Sequence, residues 1–249
     1  MKTLAICMPG SLRSIEQCYE NFLKNIYKIN INDFNIKLFY FVPEDSNSNK
    51  IYNIKEIINL NPLICIEKDK ELDNIKCNFS GRPVKLDECS SGGLKGWLYQ
   101  LQGIEKSYNM VLEYEKNNNM SFDFIVRIRS DVLFLKPVIF KNYINNNELI
   151  IPFFHVFFGI NDRFAFGNSK MMKNYMLMFS NLYKYCSQSN DLFKIKNAEW
   201  FCKYNLDVNN IKYIEDENIL FNRVRMDGKI CIDTKINGKY KKPHMELIN

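Results

Sequence analysis

Two arginines and an aspartate crowd the end of an apolar stretch near the middle of the 249-residue sequence. Residues 121–135 read SFDFIVRIRSDVLFL, and the alternation of residue types up to Arg129 predicts a strand. Arg127 and Arg129 would share one face of it. Ligands of open α/β sheets bind at the carboxyl ends of the strands, and buried charges need a partner or a ligand. The motif therefore predicts either an anion site, with Asp131 holding a divalent metal or a sugar hydroxyl, or a structural Arg–Asp pair.

A second polar group follows the first apolar run. Residues 3–8 predict a buried strand, Pro9-Gly10-Ser11 a tight turn, and the apolar spacing over 12–29 a helix. The amino terminus of such a helix can bind a phosphate, and Arg13 would assist. The turn is neither GxGxxG nor a P-loop. A solvated first-turn arginine therefore remains the alternative.

Acidic candidates lie in the carboxy-terminal part of the chain. Asn161-Asp162-Arg163 stands between apolar residues and two glycines, and a turn aspartate is one interpretation of Asp162. Glu199 begins a short predicted helix. In that position a first-turn acid stabilises the helix dipole.

The elements that must position these residues alternate along the chain. Strand patterns occupy residues 35–42, 63–67, 148–154, 212–214, 219–225 and 229–233, besides the two above. Helical patterns occupy 50–60, 94–114, the stretch after Asn168, and 198–204. Residues 69–93 show little periodicity and predict a long functional or mobile loop. The alternation predicts an α/β fold, with a mainly parallel, Rossmann-like mixed sheet flanked by helices in a single domain.

Composition narrows the classes of partner. The net charge of +6 is scattered, which favours an anionic ligand or an acidic membrane surface and argues against nucleic acid. The eight cysteines form no CxxC motif and predict reduced thiols. No apolar run has the length of a signal peptide core or a membrane span. We therefore expect a cytoplasmic protein, with peripheral association at the inner face of the membrane as an option.

Four segments in a fixed order carry a family resemblance: CMPGSLRS, Q..GIEKSYNMVLEYE, FDFIVRIRSDVLF and GINDRFAFGN. Over Ala5 to about Gly228 the chain resembles bacterial nucleotide-sugar-dependent glycosyltransferases of the Rossmann-like GT-A type, as found in capsule and lipopolysaccharide clusters. The resemblance implies transfer of a sugar from a nucleoside-diphosphate sugar to a glycan or lipid-linked glycan acceptor. It implies a nucleotide-binding half over 1–135 and an acceptor and sugar half over 136–249.

The resemblance also assigns roles to residues. It places the donor at Pro9, Gly10, Ser11, Arg13, Arg127, Arg129 and Asp131, the sugar or acceptor at Asn161, Asp162 and Arg163, and catalysis at Glu199 and Asp162. The D-x-D element of that fold holds Mn²⁺ or Mg²⁺ on the diphosphate, which makes Asp131 and the late His244 the candidate metal ligands. Arg129 replaces the first acid of D-x-D, so direct neutralisation of phosphate by arginine is an open alternative. Open alternatives to glycosyl transfer are a non-catalytic nucleotide- or glycan-binding protein and another polysaccharide-modifying transferase.

Overall fold

The computed structural model describes residues 1–68, 76–79, 82–85, 92–188 and 193–232, with the backbone alone of two further short strands. The strands are β1 (Lys2–Pro9), β2 (Phe34–Pro43), β3 (Leu63–Glu67), β4 (Lys76–Phe79), β5 (Arg82–Lys85), β6 (Phe124–Ile128), β7 (Val132–Phe134), β8 (Leu149–Pro152), β9 (Phe164–Asn168), β10 (Phe193–Ile195), β11 (Tyr213–Asp216), β12 (Phe221–Val224), β13 (Ile230–Cys231), β14 (Lys235–Ile236) and β15 (Lys239–Tyr240).

The helices lie between these strands. They are α1 (Ile15–Phe22), α2 (Lys28–Asn30), α3 (Lys55–Ile58), α4 (Gly92–Asn118), α5 (Ser169–Met176), α6 (Met178–Gln188) and α7 (Ala198–Val208). A π-helical segment, Leu23–Tyr27, joins α1 to α2, and short 3-10 segments occupy Ser48–Asn53 and Phe140–Tyr143. Asn168 caps the amino terminus of α5, because its side chain accepts a hydrogen bond from the backbone N–H of Met171 at 3.0 Å.

A seven-stranded sheet forms the centre of the molecule, in the order β11-β8-β9-β6-β1-β2-β3. Every neighbouring pair is parallel except those that involve β9, which runs antiparallel to both β6 and β8. Helices flank this sheet, so the predicted α/β class with a mainly parallel mixed sheet is confirmed. Strands from both predicted halves of the chain share it.

Hydrophobic cores cover both faces of the sheet. In β1, Ala5 and Cys7 pack into one core with α4, α5 and α7, whereas Leu4, Ile6 and Met8 pack into the other with α1. Parallel strands that are buried on both faces have nearly continuous apolar sequences, which explains the first apolar run of the chain. Polar side chains that can bind a ligand or react therefore lie mainly at the ends of these strands.

Several predicted elements differ in the structure. The stretch 121–135 is two strands: β6 lies in the central sheet, and β7 pairs antiparallel with β12 in a small outer sheet. The predicted helix over 50–60 is a 3-10 segment and the short α3, separated by non-helical backbone at Ile54. The predicted loop over 69–93 contains the β4–β5 hairpin and the start of α4. Strand β9 was not predicted, because its segment was assigned no secondary structure from the sequence.

Two features relate to the predicted cellular location: the state of the cysteines and the length and hydrophobicity of the helices. The seven cysteines in the described ranges are free, and Cys89 lies outside them. Among the helices that the structure describes, none is both long and apolar enough to cross a membrane.

Candidate functional site

A cleft of about 640 Å³ opens where β1, β2 and β6 reach their carboxyl ends. Its walls come from these strand ends, one face of α4, and β12 with the residue that follows it. All seven residues predicted to bind the donor line it, namely Pro9, Gly10, Ser11, Arg13, Arg127, Arg129 and Asp131. The remaining lining residues are Phe41, Pro43, Gly96, Tyr99, Gln100, Gly103, Ser130, Arg223 and Arg225. The structure thus joins the turn after β1 and the end of β6 in one site.

The turn after β1 is shaped for this position. Gly10 has a φ of +117°, a conformation that residues with a side chain rarely adopt, and its N–H donates to the carbonyl of Phe41 at 2.9 Å. The hydroxyl of Ser130 donates to the carbonyl of Ser11 at 3.0 Å. The turn is therefore attached to the ends of both neighbouring strands, and its position relative to Asp131 is held by hydrogen bonds.

Asp131 is a buried carboxylate enclosed by positive charge. Its Oδ1 accepts from Nε of Arg129 at 2.8 Å, and its Oδ2 accepts from Nη2 of the same guanidinium at 2.7 Å. Nη2 of Arg13 stands 3.9 Å from Oδ2. Burial alone would raise the pKa of Asp131, but the charges and hydrogen bonds of these arginines, with Arg223, lower that pKa to about 2. Asp131 is therefore ionised at neutral pH and neutralises part of the cleft's charge.

Arg127 lies at the floor of the cleft and is fully buried. One amino group, Nη1, donates to the backbone carbonyl of Asp162. Within the described ranges its Nε and Nη2 have no hydrogen-bond partner of ordinary geometry, and the hydroxyl of Tyr175 lies close to this guanidinium. Buried charged donors are costly when they are not hydrogen-bonded. Arg127 therefore provides binding capacity for an anionic or carbonyl-rich ligand.

Gln100 connects Arg129, one of the predicted donor residues, to Asp162. Its Oε1 accepts from Nη1 of Arg129 at 3.0 Å, and its Nε2 donates to Oδ2 of Asp162 at 3.0 Å. A continuous polar chain thus runs from Asp131 to Asp162. The sequence analysis had not singled out Gln100. The available signal was a polar side chain on a long amphipathic helix, between Gly96 and Gly103 on the same face.

Asp162 and Glu199 form a neighbouring pair of carboxylates beside the cleft rather than in its lining. Burial and the charge of Asp162 together raise the pKa of Glu199, although Arg163 and Arg223 oppose this. Nε of Arg163 stands 3.9 Å from Oδ1 of Asp162. The pair combines an acid that titrates above its ordinary range with two nearby guanidiniums.

The side chain of Asn161 stabilises the loop to which it belongs. Its side chain is fully buried, donates to the carbonyl of Phe154 at 2.8 Å and accepts from the N–H of Arg163 at 2.9 Å. These bonds fix the loop that carries Asp162. We therefore assign Asn161 a positioning role in place of the predicted contact with sugar.

The loop before this pair is anchored to the start of α7. The N–H of Ile160 donates to the carbonyl of Glu199 at 3.1 Å, and the side chain of Asn197 donates to the carbonyl of Phe157 at 2.9 Å. A Cβ atom at Gly159 would lie only 1.9 Å from the Glu199 carbonyl oxygen. The absence of a side chain at Gly159 is what lets the two segments touch.

Replacing Gly159 with alanine is expected to lower the free energy of unfolding by about 1–3 kcal/mol, because backbone atoms must move to accept the new Cβ. Urea denaturation measures this change. Gly96→Ala is the matched control, since nothing lies within 4 Å of a Cβ there and alanine favours the helix. Equal stability of Gly159→Ala and the unmodified protein would show that the loop does not contact α7 as described.

The residues present fit a metal poorly. In the described part of the chain, no three His, Cys, Asp or Glu side chains come together as a metal site. Both oxygens of Asp131 are bonded to Arg129. The other predicted ligand, His244, lies outside the described residues. The predicted Mn²⁺ or Mg²⁺ therefore stays a prediction.

The chain belongs to the family described as "Domain of unknown function (DUF7796)", whose profile matches residues 1–223. The matched segment includes every residue that lines the cleft except Arg225. A comparison with curated protein sequences found no match.

Two solved structures of one protein are similar at low identity. The apo form of the glycosyltransferase GlyE from Streptococcus pneumoniae TIGR4 is 12% identical with a TM-score of 0.45, over 87% of this chain and 46% of that chain. A second GlyE structure is 10% identical with a TM-score of 0.42, over 88% and 46%. The present chain thus spans less than half the length of these proteins, and similarity at this level does not establish a shared activity.

Proposed function

We propose that this protein is a glycosyltransferase that moves a sugar from a nucleoside-diphosphate sugar to a hydroxyl of a glycan acceptor. The observation that carries the proposal is the cleft at the carboxyl ends of β1, β2 and β6, into which five arginines and one aspartate converge. Such clefts are where open α/β sheets bind ligands, and this charge selects an anion. The sequence resemblance supplies the class of reaction and the setting, which is synthesis of a cell-surface polysaccharide at the inner face of the membrane.

The chemistry divides between the two parts of the site. The leaving diphosphate needs positive charge, and forked guanidinium donors match phosphate oxygens. The acceptor hydroxyl needs a base, and Glu199, with its raised pKa, takes that proton. Asp162 accepts hydrogen bonds from sugar hydroxyls between these two groups. Gln100 hydrogen-bonds to both Arg129 and Asp162, and so fixes the position of the Asp162 carboxylate relative to the Arg129 guanidinium.

Incubation of the purified protein with a panel of UDP-, GDP-, CMP- and dTDP-sugars, with and without an oligosaccharide acceptor, tests the proposal. We expect release of the nucleotide from one donor class, accelerated by an acceptor. Binding without release for every donor would favour a non-catalytic nucleotide-binding protein. Absence of both binding and release would exclude the proposed donor class.

Arg129→Ala is expected to weaken binding of the nucleoside diphosphate more than binding of the bare nucleoside. A hydrogen bond to a charged group contributes about 1.5–3 kcal/mol, so the diphosphate should lose roughly 10- to 100-fold in affinity. Calorimetric titration of both ligands measures the difference. Lys141→Ala is the control, because it removes an exposed cation that does not line the cleft. Equal losses for diphosphate and nucleoside would remove Arg129 from the phosphate site.

A further inference from the structure

The resemblance to GT-A enzymes implies a divalent cation on the donor diphosphate, but the cleft has an unsuitable set of ligands for one. Asp131 is the only carboxylate that lines the cleft in the described part of the chain. Mg²⁺ and Mn²⁺ take about six oxygen ligands, and Asp131 has given both of its oxygens to Arg129 at 2.7 and 2.8 Å.

The electrostatic setting disfavours a cation further. To reach Asp131, a divalent ion would have to displace the forked pairing with Arg129 and stand close to Arg13, whose Nη2 is 3.9 Å from the same carboxylate. Five guanidiniums line the cleft against one carboxylate, so its charge before a ligand binds is strongly positive. That charge repels a cation and attracts a diphosphate without assistance.

We propose that guanidinium groups take the place of the cation, so that the donor diphosphate binds in the cleft without a metal. This proposal rests on the proposed function. Arg127 contributes two buried donors, Nε and Nη2, that have no partner in the described ranges. Arg223 contributes a charge that acts on both Asp131 and Glu199.

The position of Arg223 indicates its role during transfer of the sugar from the donor. It lies on β12 directly opposite Val132, the residue after Asp131, and its side chain lines the cleft. Its charge acts both on Asp131 at the diphosphate site and on Glu199, the proposed base. Arg223 binds the departing phosphate oxygen as the sugar–oxygen bond breaks, and the negative charge stays on the nucleoside diphosphate.

Calorimetric titration of UDP, GDP, CDP and dTDP in buffer with excess EDTA tests the proposal, with a parallel titration in Mn²⁺ and Mg²⁺. We expect one of the four to bind in EDTA with the same affinity as in metal. Binding that appears only with a cation would overturn this inference and leave the proposed function standing. Absence of binding in either buffer would overturn the proposed function, and this inference with it.

Variants of single residues test whether particular arginines bind the diphosphate or whether binding depends only on the net charge of the protein. In EDTA, Arg223→Ala and Arg13→Ala are each expected to weaken diphosphate binding by about tenfold or more. Arg223→Lys should weaken binding less than Arg223→Ala, because lysine keeps the positive charge but lacks the parallel N–H donors of a guanidinium. Arg13 is 41% exposed in its side chain, so its removal keeps the fold testable. Lys141→Ala should bind as the unmodified protein does. An undiminished affinity in both alanine variants would overturn the assignment.

Discussion

Replacing Asp131 with asparagine is expected to lower the free energy of unfolding at neutral pH by about 3–5 kcal/mol, the usual cost of breaking a buried ion pair from one side. The side chain of Asp131 is only 7% exposed, and it faces Arg129 in a forked pair and Arg13 at 3.9 Å. Asparagine keeps the shape of the side chain but removes the charge that these guanidiniums need. Urea denaturation of both proteins measures the difference.

A matched surface pair supplies the control for this experiment. Asp33 pairs with Lys141 at 2.8 Å, and that lysine is 62% exposed in its side chain. Asp33→Asn should cost less than about 1 kcal/mol, as is usual for surface ion pairs. Similar losses in Asp33→Asn and Asp131→Asn would contradict the central place that we give to Asp131.

The same carboxylate predicts a pH dependence of stability. The pKa of Asp131 falls from an ordinary 3.8 to about 2 in the folded protein, which corresponds to about 2 kcal/mol. Because the folded value is the lower one, this stabilisation is fully present above pH 3.8 and is lost as the pH falls through about 2. The asparagine variant has no such group, so its deficit should shrink over that window. A deficit that is constant down to about pH 2 would contradict the assigned pKa.

The shared position of the predicted donor residues in one cleft could be inferred from the sequence, because it depends on local pattern and one rule of topology. Arg129 immediately follows β6 and Arg13 lies in the turn region after β1, and parallel strands bring their carboxyl ends to one edge of a sheet. The mainly parallel sheet then follows from the alternation of strands and helices. The local pattern and this rule of topology were enough to predict both residues in one site.

Arg223 and Gln100 were not predictable in this way. Arg223 reaches the cleft because β12 pairs antiparallel with β7, a contact across about ninety residues that no local pattern encodes. Gln100 differs little from other polar residues of α4 until Arg129 and Asp162 are known to stand on either side of it. The prediction of a nucleotide-binding half over 1–135 could not include Arg223 for the same reason, and the cleft draws on both parts of the chain.

For Asn161, the sequence motif suggested a contact with a ligand, whereas the structure indicates a role within its own loop. Its neighbours Asp162 and Arg163 made the three polar residues look like one recognition element. The structure shows that the Asn161 side chain bonds within its own loop and that the carbonyl of Asp162 accepts from Arg127. A sequence motif of polar residues does not say which members face a ligand, because that depends on the backbone turn between them.

Glu199→Gln is expected to lower kcat by about 10²- to 10⁴-fold and to leave KM for the donor nearly unchanged, since a general base acts on the transferred proton and not on donor binding. Burial and the Asp162 charge raise the pKa of Glu199 above its ordinary 4.5. The base works only when ionised, so the rate should fall as the pH drops through that raised pKa. The pH profile of kcat measures this limb, which should disappear in the glutamine variant.

Two further variants separate this role from a structural one. Burial also raises the pKa of Glu215, an acid outside the proposed site, so Glu215→Gln should keep both the rate and the acidic limb. Asp162→Asn removes the charge that helps to raise the pKa of Glu199, and should therefore move the limb to lower pH in whatever activity remains. A structural contact would change stability without moving a titration. An acidic limb that survives in Glu199→Gln would assign the proton transfer to another residue. A limb that stays in place in Asp162→Asn would contradict the effect of the Asp162 charge on Glu199.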